Sequence, residues 1–228
     1  KIHRTVFLGN ITEDYRKLEN RTIPLLDDLK NKNNPKALAL FSHLTMETGK
    51  IKASAVAEWS LDLLSQEDSL VIFTHHKVVA GMIHSQLKIK KVKCELGTGD
   101  VSLEGRQKLR DDFQAEKYDV LVCTVDSMGT GFTLTRACHV LFAELPLSPS
   151  KIDQASDRLH RKGQTRTVFV WYAVTEGTID EDLIKMLDQK RKNFTGVLEG
   201  ERANRDLLLK NMIKRSQSRG TQNESSDL

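Results

Sequence analysis

Leu70-Val71-Ile72-Phe73-Thr74-His75-His76-Lys77 decides the fold: a short apolar run stops at a polar turn, and a helical pattern follows over 77–87. An apolar run this short, with polar residues on either side, reads as a strand buried on both faces. The alternation repeats downstream. Strands are expected over 91–96, 119–124, 138–143 and 167–174, with helices over 103–114, 150–161 and 178–194 and a short one after 124. Ser102 stands where an N-cap would satisfy the first free amides of helix 103–114. Near-continuous apolar strands separated by helices predict an open α/β domain, a parallel sheet covered on both faces with right-handed crossovers.

The first 65 or so residues read differently. Val6-Phe7-Leu8 is a short apolar opening segment. A helix begins near Thr12, with Glu13 and Asp14 in the first turn where acids suit the dipole, and runs toward Pro24, which interrupts or restarts it. Two further patterns of 3.6 period follow, one through Ala37, Phe41 and Leu44 and one through Val56, Trp59 and Leu63. This stretch is therefore mostly helix. Beyond Phe194 the periodicity weakens. Asp206–Lys214 has the apolar residues for one more helix, and Ser216–Leu228 is polar enough to be expected disordered.

Composition narrows the class. Apolar content of 39% and charged content of 29% suit a globular domain. No run approaches the roughly 20 apolar residues that span a bilayer, and no basic-then-apolar start suggests a signal peptide. Cys94, Cys123 and Cys138 are too scattered for a disulfide framework or a zinc site; Cys123 and Cys138, in apolar strand runs, read as buried thiols, and a reducing compartment follows. The formal charge of +4 is unevenly spread, with basic clusters at Lys88, Lys90, Lys91 and Lys93 and between Lys185 and Arg219. Such clusters attract phosphate backbones without reading sequence; the plain alternative is a solvated face.

The chemistry concentrates in Gln154-Ala155-Ser156-Asp157-Arg158-Leu159-His160-Arg161-Lys162-Gly163-Gln164. Arg158 and Arg161 stand at i and i+3, so a helix would turn both toward one target. Guanidinium forks match phosphate oxygens two at a time. The plain alternative is a solvated basic helix end. Elsewhere, Thr74-His75-His76, Thr124 onward and Glu144 each begin where an expected strand stops, which puts them on one sheet edge, the edge where open α/β sheets bind ligands. No Gly-rich phosphate loop and no strand-end Asp-Glu pair for magnesium is present, and Gly97-Thr98-Gly99-Asp100 lacks the lysine. Adjacent His75-His76 and the isolated His160 do not make a zinc set.

The segment 154–166 resembles the last signature motif of superfamily-two helicases, in the spelling of Swi/Snf-type ATPases. Val122 to Thr135 resembles the preceding motif, and Val71 to Val79 the motif on the first strand of that family's second lobe. The resemblance covers about residues 36–200. Phe73-Thr74-His75-His76-Lys77, Phe142-Ala143-Glu144-Leu145 and Thr133 are similar to the annealing-helicase (HARP-like) branch. Asp126, Met128 and Pro146-Leu147-Ser148-Pro149 depart from the family's usual residues.

The resemblance implies a RecA-like second lobe of a DNA translocase, with ATP and Mg2+ held mainly by an absent first lobe. The chain alone is then expected to be inactive. Arg161 becomes the arginine finger and Arg158 its partner. Gln154 anchors the motif, Asp157 orients an arginine, and Gly129 and Gly131 allow approach near the ribose. Thr74, Lys77, Thr98 and Thr124 become contacts to double-stranded or forked DNA, Arg106 stands where the family often places an arginine, and Glu144 couples the motif loops. The implied domains are a linker and helical segment over 1–66, the helicase lobe over 67–200, a brace helix within 201–215 and a tail over 216–228. No membrane partner is expected; the compartment would be nuclear in a eukaryote and cytoplasmic otherwise. Two rivals are a chromatin-remodeller lobe and a binding module without an ATP role, in which both arginines would be dispensable.

Overall fold

The computed structural model describes residues 1–29, 35–129, 131–192 and 207–215. The elements run β1 (Ile2–Asn10), α1 (Glu13–Leu29), α2 (Pro35–Leu64), β2 (Leu70–Thr74), α3 (Lys77–Ile89), β3 (Cys94–Gly97) and α4 (Leu103–Gln114). They continue with β4 (Val120–Thr124), α5 (Val125–Met128), β5 (His139–Phe142), α6 (Pro149–Ser156), β6 (Phe169–Glu176) and α7 (Ile179–Lys192). Residues 207–215 form a further helical stretch. The expected tail 216–228, and the residues expected between α7 and that last stretch, lie outside the described residues. No described helix is long and apolar enough to cross a membrane.

The sheet has six strands in the order β1-β6-β5-β2-β4-β3, and each pair is parallel. Alternate residues feed opposite faces, as the pleat requires. Val71, Phe73, Leu121, Cys123, Val140 and Phe142 pack on one side with α1, α6 and α7. Leu70, Ile72, Val120, Val122 and Leu141 pack on the other with α2 and α3. Ser102 caps α4 as expected, its side chain accepting from the Gly105 amide at 3.1 Å. Trp59 and Trp171 meet edge to face at 5.2 Å against the second cluster, which makes them packing residues.

The N-terminal segment holds three surprises. Val6-Phe7-Leu8 is the middle of β1, a sixth strand that pairs along β6 from Ile2↔Phe169 to Phe7↔Val174. Pro24 lies inside α1 and does not end it. The two helical patterns over 37–64 are one 30-residue helix.

That helix passes through buried polar ground. Lys52 is fully buried, donating to the Ala173 carbonyl at 2.8 Å and to Asp180 at 2.7 Å. Asp180 also accepts from the Thr48 hydroxyl and the Thr175 amide, so each polar group has a partner. A buried charge pair is tolerable only when its remaining lone pairs are satisfied in this way. A second clasp closes over 207–215. Arg215 grips Glu19 of α1 with both arms, at 2.6 and 2.9 Å, and reaches Asp182 of α7 at 2.8 Å and the Gly177 carbonyl.

Candidate functional site

The carboxyl ends of β2, β4 and β5 gather the residues expected on one edge. The chain leaves β2 into α3 on one face and β4 into α5 on the other. Neighbouring strands whose connections part in this way flank a crevice where ligands bind in open α/β sheets. Thr74 and Thr124 stand on its two sides, opposite one another in the β2–β4 register.

Buried hydrogen bonds fix this edge. The Glu144 side chain is fully buried; one oxygen accepts from the amides of His75 and His76, both at 2.9 Å, and the other lies 2.5 Å from His76 Nδ1. Burial, then the adjacent His76, pushes the His75 imidazole below its usual range. Ser127 donates to the Gly97 carbonyl at 2.6 Å and ties the β3 end to α5. Thr74, Thr98 and Thr124 are all buried, and two of the hydroxyls are committed inward: Thr74 to the His76 carbonyl and Thr124 to Ser127. Lys77 is the exposed member, 2.5 Å from the equally open Asp100. Arg106 joins neither Glu104 nor Asp111. It donates to the Ser127 carbonyl at 2.8 Å and braces the same loop.

The arginines form a second group, on the chain that follows α6. Helix α6 stops at Ser156, short of the expected residue 161, so Arg158 and Arg161 stand on the turns that follow it. The Arg158 carbonyl is used by the Leu134 amide at 2.8 Å, which stitches these turns to the loop before β5. Gln164 completes the stitch, its amide donating to the carbonyls of Thr135 and Ala137 at 2.9 Å each. Arg158 Nε reaches the carbonyls of Gly129 at 3.1 Å and Gln154 at 3.0 Å, and Arg161 reaches the Thr133 hydroxyl at 3.0 Å. Among the described residues neither guanidinium meets a carboxylate. Asp157, expected to orient one of them, pairs with Lys1 instead. Gln154 is exposed on the last turn of α6.

The glycines have internal reasons of their own. A Cβ on Gly129 would lie 2.3 Å from the Val125 carbonyl oxygen, and Gly131 takes a φ of +79° with open space around it. Asp126, one of the departures from the family's residues, pairs with Lys151 of α6 at 3.1 Å. That pair links the loop after β4 to the helix that leads to the arginines.

Glu67, Cys138 and His139 are the one group of possible metal ligands among the described residues. The donor set does not suit a cation. Trp171 donates its indole N–H to His139 Nδ1 at 3.0 Å, so the neutral ring carries its hydrogen on Nε2, the atom that faces Glu67 at 3.4 Å. Arg166, 3.9 Å from Glu67, already supplies positive charge.

Sequence reasoning missed three participants: Ser42, whose hydroxyl meets His76 Nε2 at 2.7 Å, Gln164 and Lys151. Only Gln164 had a signal, its place just after a Gly that follows a helix.

Residues 52–163 match the family described as helicase conserved C-terminal domain. The Xenopus laevis SWI/SNF-related matrix-associated actin-dependent regulator of chromatin subfamily A-like protein 1 is 39% identical over 158 residues, which are 68% of this chain and 16% of that protein. The human DNA annealing helicase and endonuclease ZRANB3 is 32% identical over 168 residues, 72% of this chain and 16% of its own length. The chain thus spans only a small part of these curated relatives. Its fold is similar to the C-terminal part of the Fun30 ATPase domain, with a TM-score of 0.66 over 95% of this chain and 98% of that one at 15% identity. It is similar also to the Sulfolobus solfataricus SWI2/SNF2 ATPase core in complex with dsDNA, with a TM-score of 0.68 over 90% of this chain and 48% of that one at 22% identity. In its motifs, its domain match and its fold, the chain belongs to the Swi/Snf-type helicase family, as a C-terminal RecA-like lobe related to the annealing helicases.

Proposed function

We propose that this lobe completes the ATP site of a DNA translocase and carries part of its DNA track. One observation bears most of that reading: Arg158 and Arg161 stand on turns outside any helix, touch only neutral oxygens and have no carboxylate partner among the described residues. Two guanidiniums three residues apart in sequence, neither compensated by a carboxylate among the described residues, suit a polyphosphate, which offers each fork a pair of anionic oxygens. Arg161, the more exposed, is the finger toward the γ-phosphate. Arg158, held by the Gly129 carbonyl, ties that finger to the glycine loop on the ribose side. Gln154, Asp157, Gly129 and Gly131 form the frame around the pair.

Among the described residues the one group of possible metal ligands lies at Glu67, Cys138 and His139 and not beside the arginines, and on this reading the ion and the phosphate cradle belong to a first lobe. ATP supplies the energy of the cycle when bound. This chain's own part is to bring positive charge across the cleft as the lobes close, and to withdraw it on opening. The strand-end edge meets double-stranded or forked DNA through Lys77 and the backbone near Thr74, Thr98 and Thr124, contacts that position a duplex without reading its bases. The likeness to the human DNA annealing helicase and endonuclease ZRANB3 supports strand rewinding as the output. Residues 67–200 then form the body of the lobe; 1–66 add the edge strand β1 to its sheet besides the linker and helical part, with the brace within 201–215. The protein works where DNA is, in the nucleus of a eukaryote.

The test is ATP turnover on forked DNA by the two-lobed protein, compared with its Arg161→Ala form. A fall of about 10³-fold with DNA binding retained is the expected contribution of a finger. Unchanged turnover overturns the assignment and favours a binding module.

A further inference from the structure

Helix α2 bears none of the motif residues, yet it enters the site. Glu144, as a carboxylate, offers only lone pairs, so His76 Nδ1 carries the hydrogen of their 2.5 Å contact. In a ring that carries its hydrogen on Nδ1 alone, Nε2 is a bare acceptor, and the Ser42 hydroxyl 2.7 Å away is placed to donate to it. The result is one directed chain from α2 through the turn after β2 to the end of β5. Gly49 stands two helical turns beyond Ser42, on the same side of α2. A Cβ there would come within 2.9 Å of Val79 and 3.0 Å of the Glu144 side chain. The glycine therefore lets α2 lie directly against the residue that anchors the turn. Farther along, Thr48 and Lys52 hold the same helix to Asp180.

We infer that Ser42, His76 and Glu144 form a positioning relay through which α2 holds the turn between β2 and α3 in the shape that meets DNA. The inference rests on the DNA-binding reading of that turn and adds to it Ser42, a residue outside every motif. Thr74 donates to the His76 carbonyl and Lys77 follows directly, so the placing of His76 sets the positions of both. The order of atoms is that of a serine nucleophile with its base and orienting acid. The amides of His75 and His76 are spent on Glu144, however, and are not free to hold an oxyanion. The relay holds and does not attack. Ser42 is a positioning residue, acting on DNA through His76.

The experiment titrates DNA-stimulated ATP turnover in the two-lobed protein and its Ser42→Ala and Ser42→Thr forms. Ser42→Ala is expected to raise the half-saturating DNA concentration about fivefold, the scale of one hydrogen bond. The KM for ATP and the turnover at saturating DNA stay as in the parent. Ser42→Thr, which keeps the hydroxyl, stays within about twofold of the parent. In parallel, the imidazole ¹⁵N resonances of His76 should show Nδ1 protonated and Nε2 responding to loss of the Ser42 hydroxyl. Alanine and threonine forms that behave alike overturn the relay, as does a Ser42→Ala loss shared between DNA and ATP. If the parent shows no DNA-stimulated turnover, the DNA reading fails. An Nε2 resonance indifferent to Ser42 then removes the relay as well.

Discussion

The strand-end edge and the arginine turns are built on opposite plans. At the edge, polar groups are buried and mutually satisfied: Glu144 alone accepts from two amides and an imidazole, and the hydroxyls of Thr74 and Thr124 turn inward. At the turns, two permanent charges are held by neutral oxygens, the Arg161 contact at an exposed side chain. A saturated network keeps a surface in one shape. An unsatisfied charge waits for a ligand from elsewhere. The difference teaches which region receives a preformed track and which is completed by another body.

The sharpest way to break this comparison is to measure stability at both places. Glu144→Ala leaves three part-buried donors without their acceptor and should cost about 3 kcal/mol. Arg161→Ala removes an exposed contact and should stay within about 0.5 kcal/mol of the parent. Denaturant unfolding of both variants decides the matter. Equal losses would mean that the arginine turns are as saturated as the edge.

Next in size is Arg215, which joins 207–215 to the body by a buried fork onto Glu19 and a bond to Asp182. Arg215→Ala should cost about 3 kcal/mol, since it strands buried acids. The deficit should vary with pH. Burial raises the Asp182 carboxyl above its usual range, and Arg215 opposes that rise. A carboxyl with a raised folded value destabilises the fold above that value, and the penalty is relieved as pH falls and it takes up a proton. The Arg215→Ala deficit therefore shrinks on going from pH 8 to pH 5, with Asp182 less able to ionise once the guanidinium is gone. A deficit independent of pH would show that the cost does not come from ionised acids left without the guanidinium.

The parts of this molecule that were legible in its sequence are those where one force dominates. Leu70–Thr74 and Val120–Thr124 are buried on both faces, so their apolar runs announce them directly. β1 was hidden because seven of its nine residues are exposed, which leaves Val6-Phe7-Leu8 as its one apolar run. α2 read as two helices because Thr45, Thr48 and Lys52 occupy inward positions where the period wants apolar residues; the acid that explains Lys52, Asp180, lies 128 residues away. The helix expected over 150–161 ran past Ser156 because local periodicity cannot foresee that Leu134 claims the Arg158 carbonyl. Motif order located the site residues. It could not show that Asp157 turns to Lys1 or that Ser42 joins His76, since both depend on contacts between distant segments.

The smallest effects probe whether the edge meets DNA at all. Lys77 and Asp100 face each other at 2.5 Å with both side chains more than half exposed, a pair of little worth to stability. Beside a phosphate backbone the two have opposite roles. Lys77→Ala should weaken DNA binding about threefold at moderate salt and flatten the slope of log affinity against log salt by about one, the signature of a single lost phosphate contact. Asp100→Asn removes a repelling charge and frees the ammonium, so binding should tighten about twofold with the slope slightly steeper. Neither change should move the KM for ATP, because the arginine turns are held by other contacts. Opposite signs at two residues in mutual contact cannot come from a general loss of fold. If both variants weaken binding, or neither shifts the slope, the duplex runs elsewhere and the saturated edge is architecture alone.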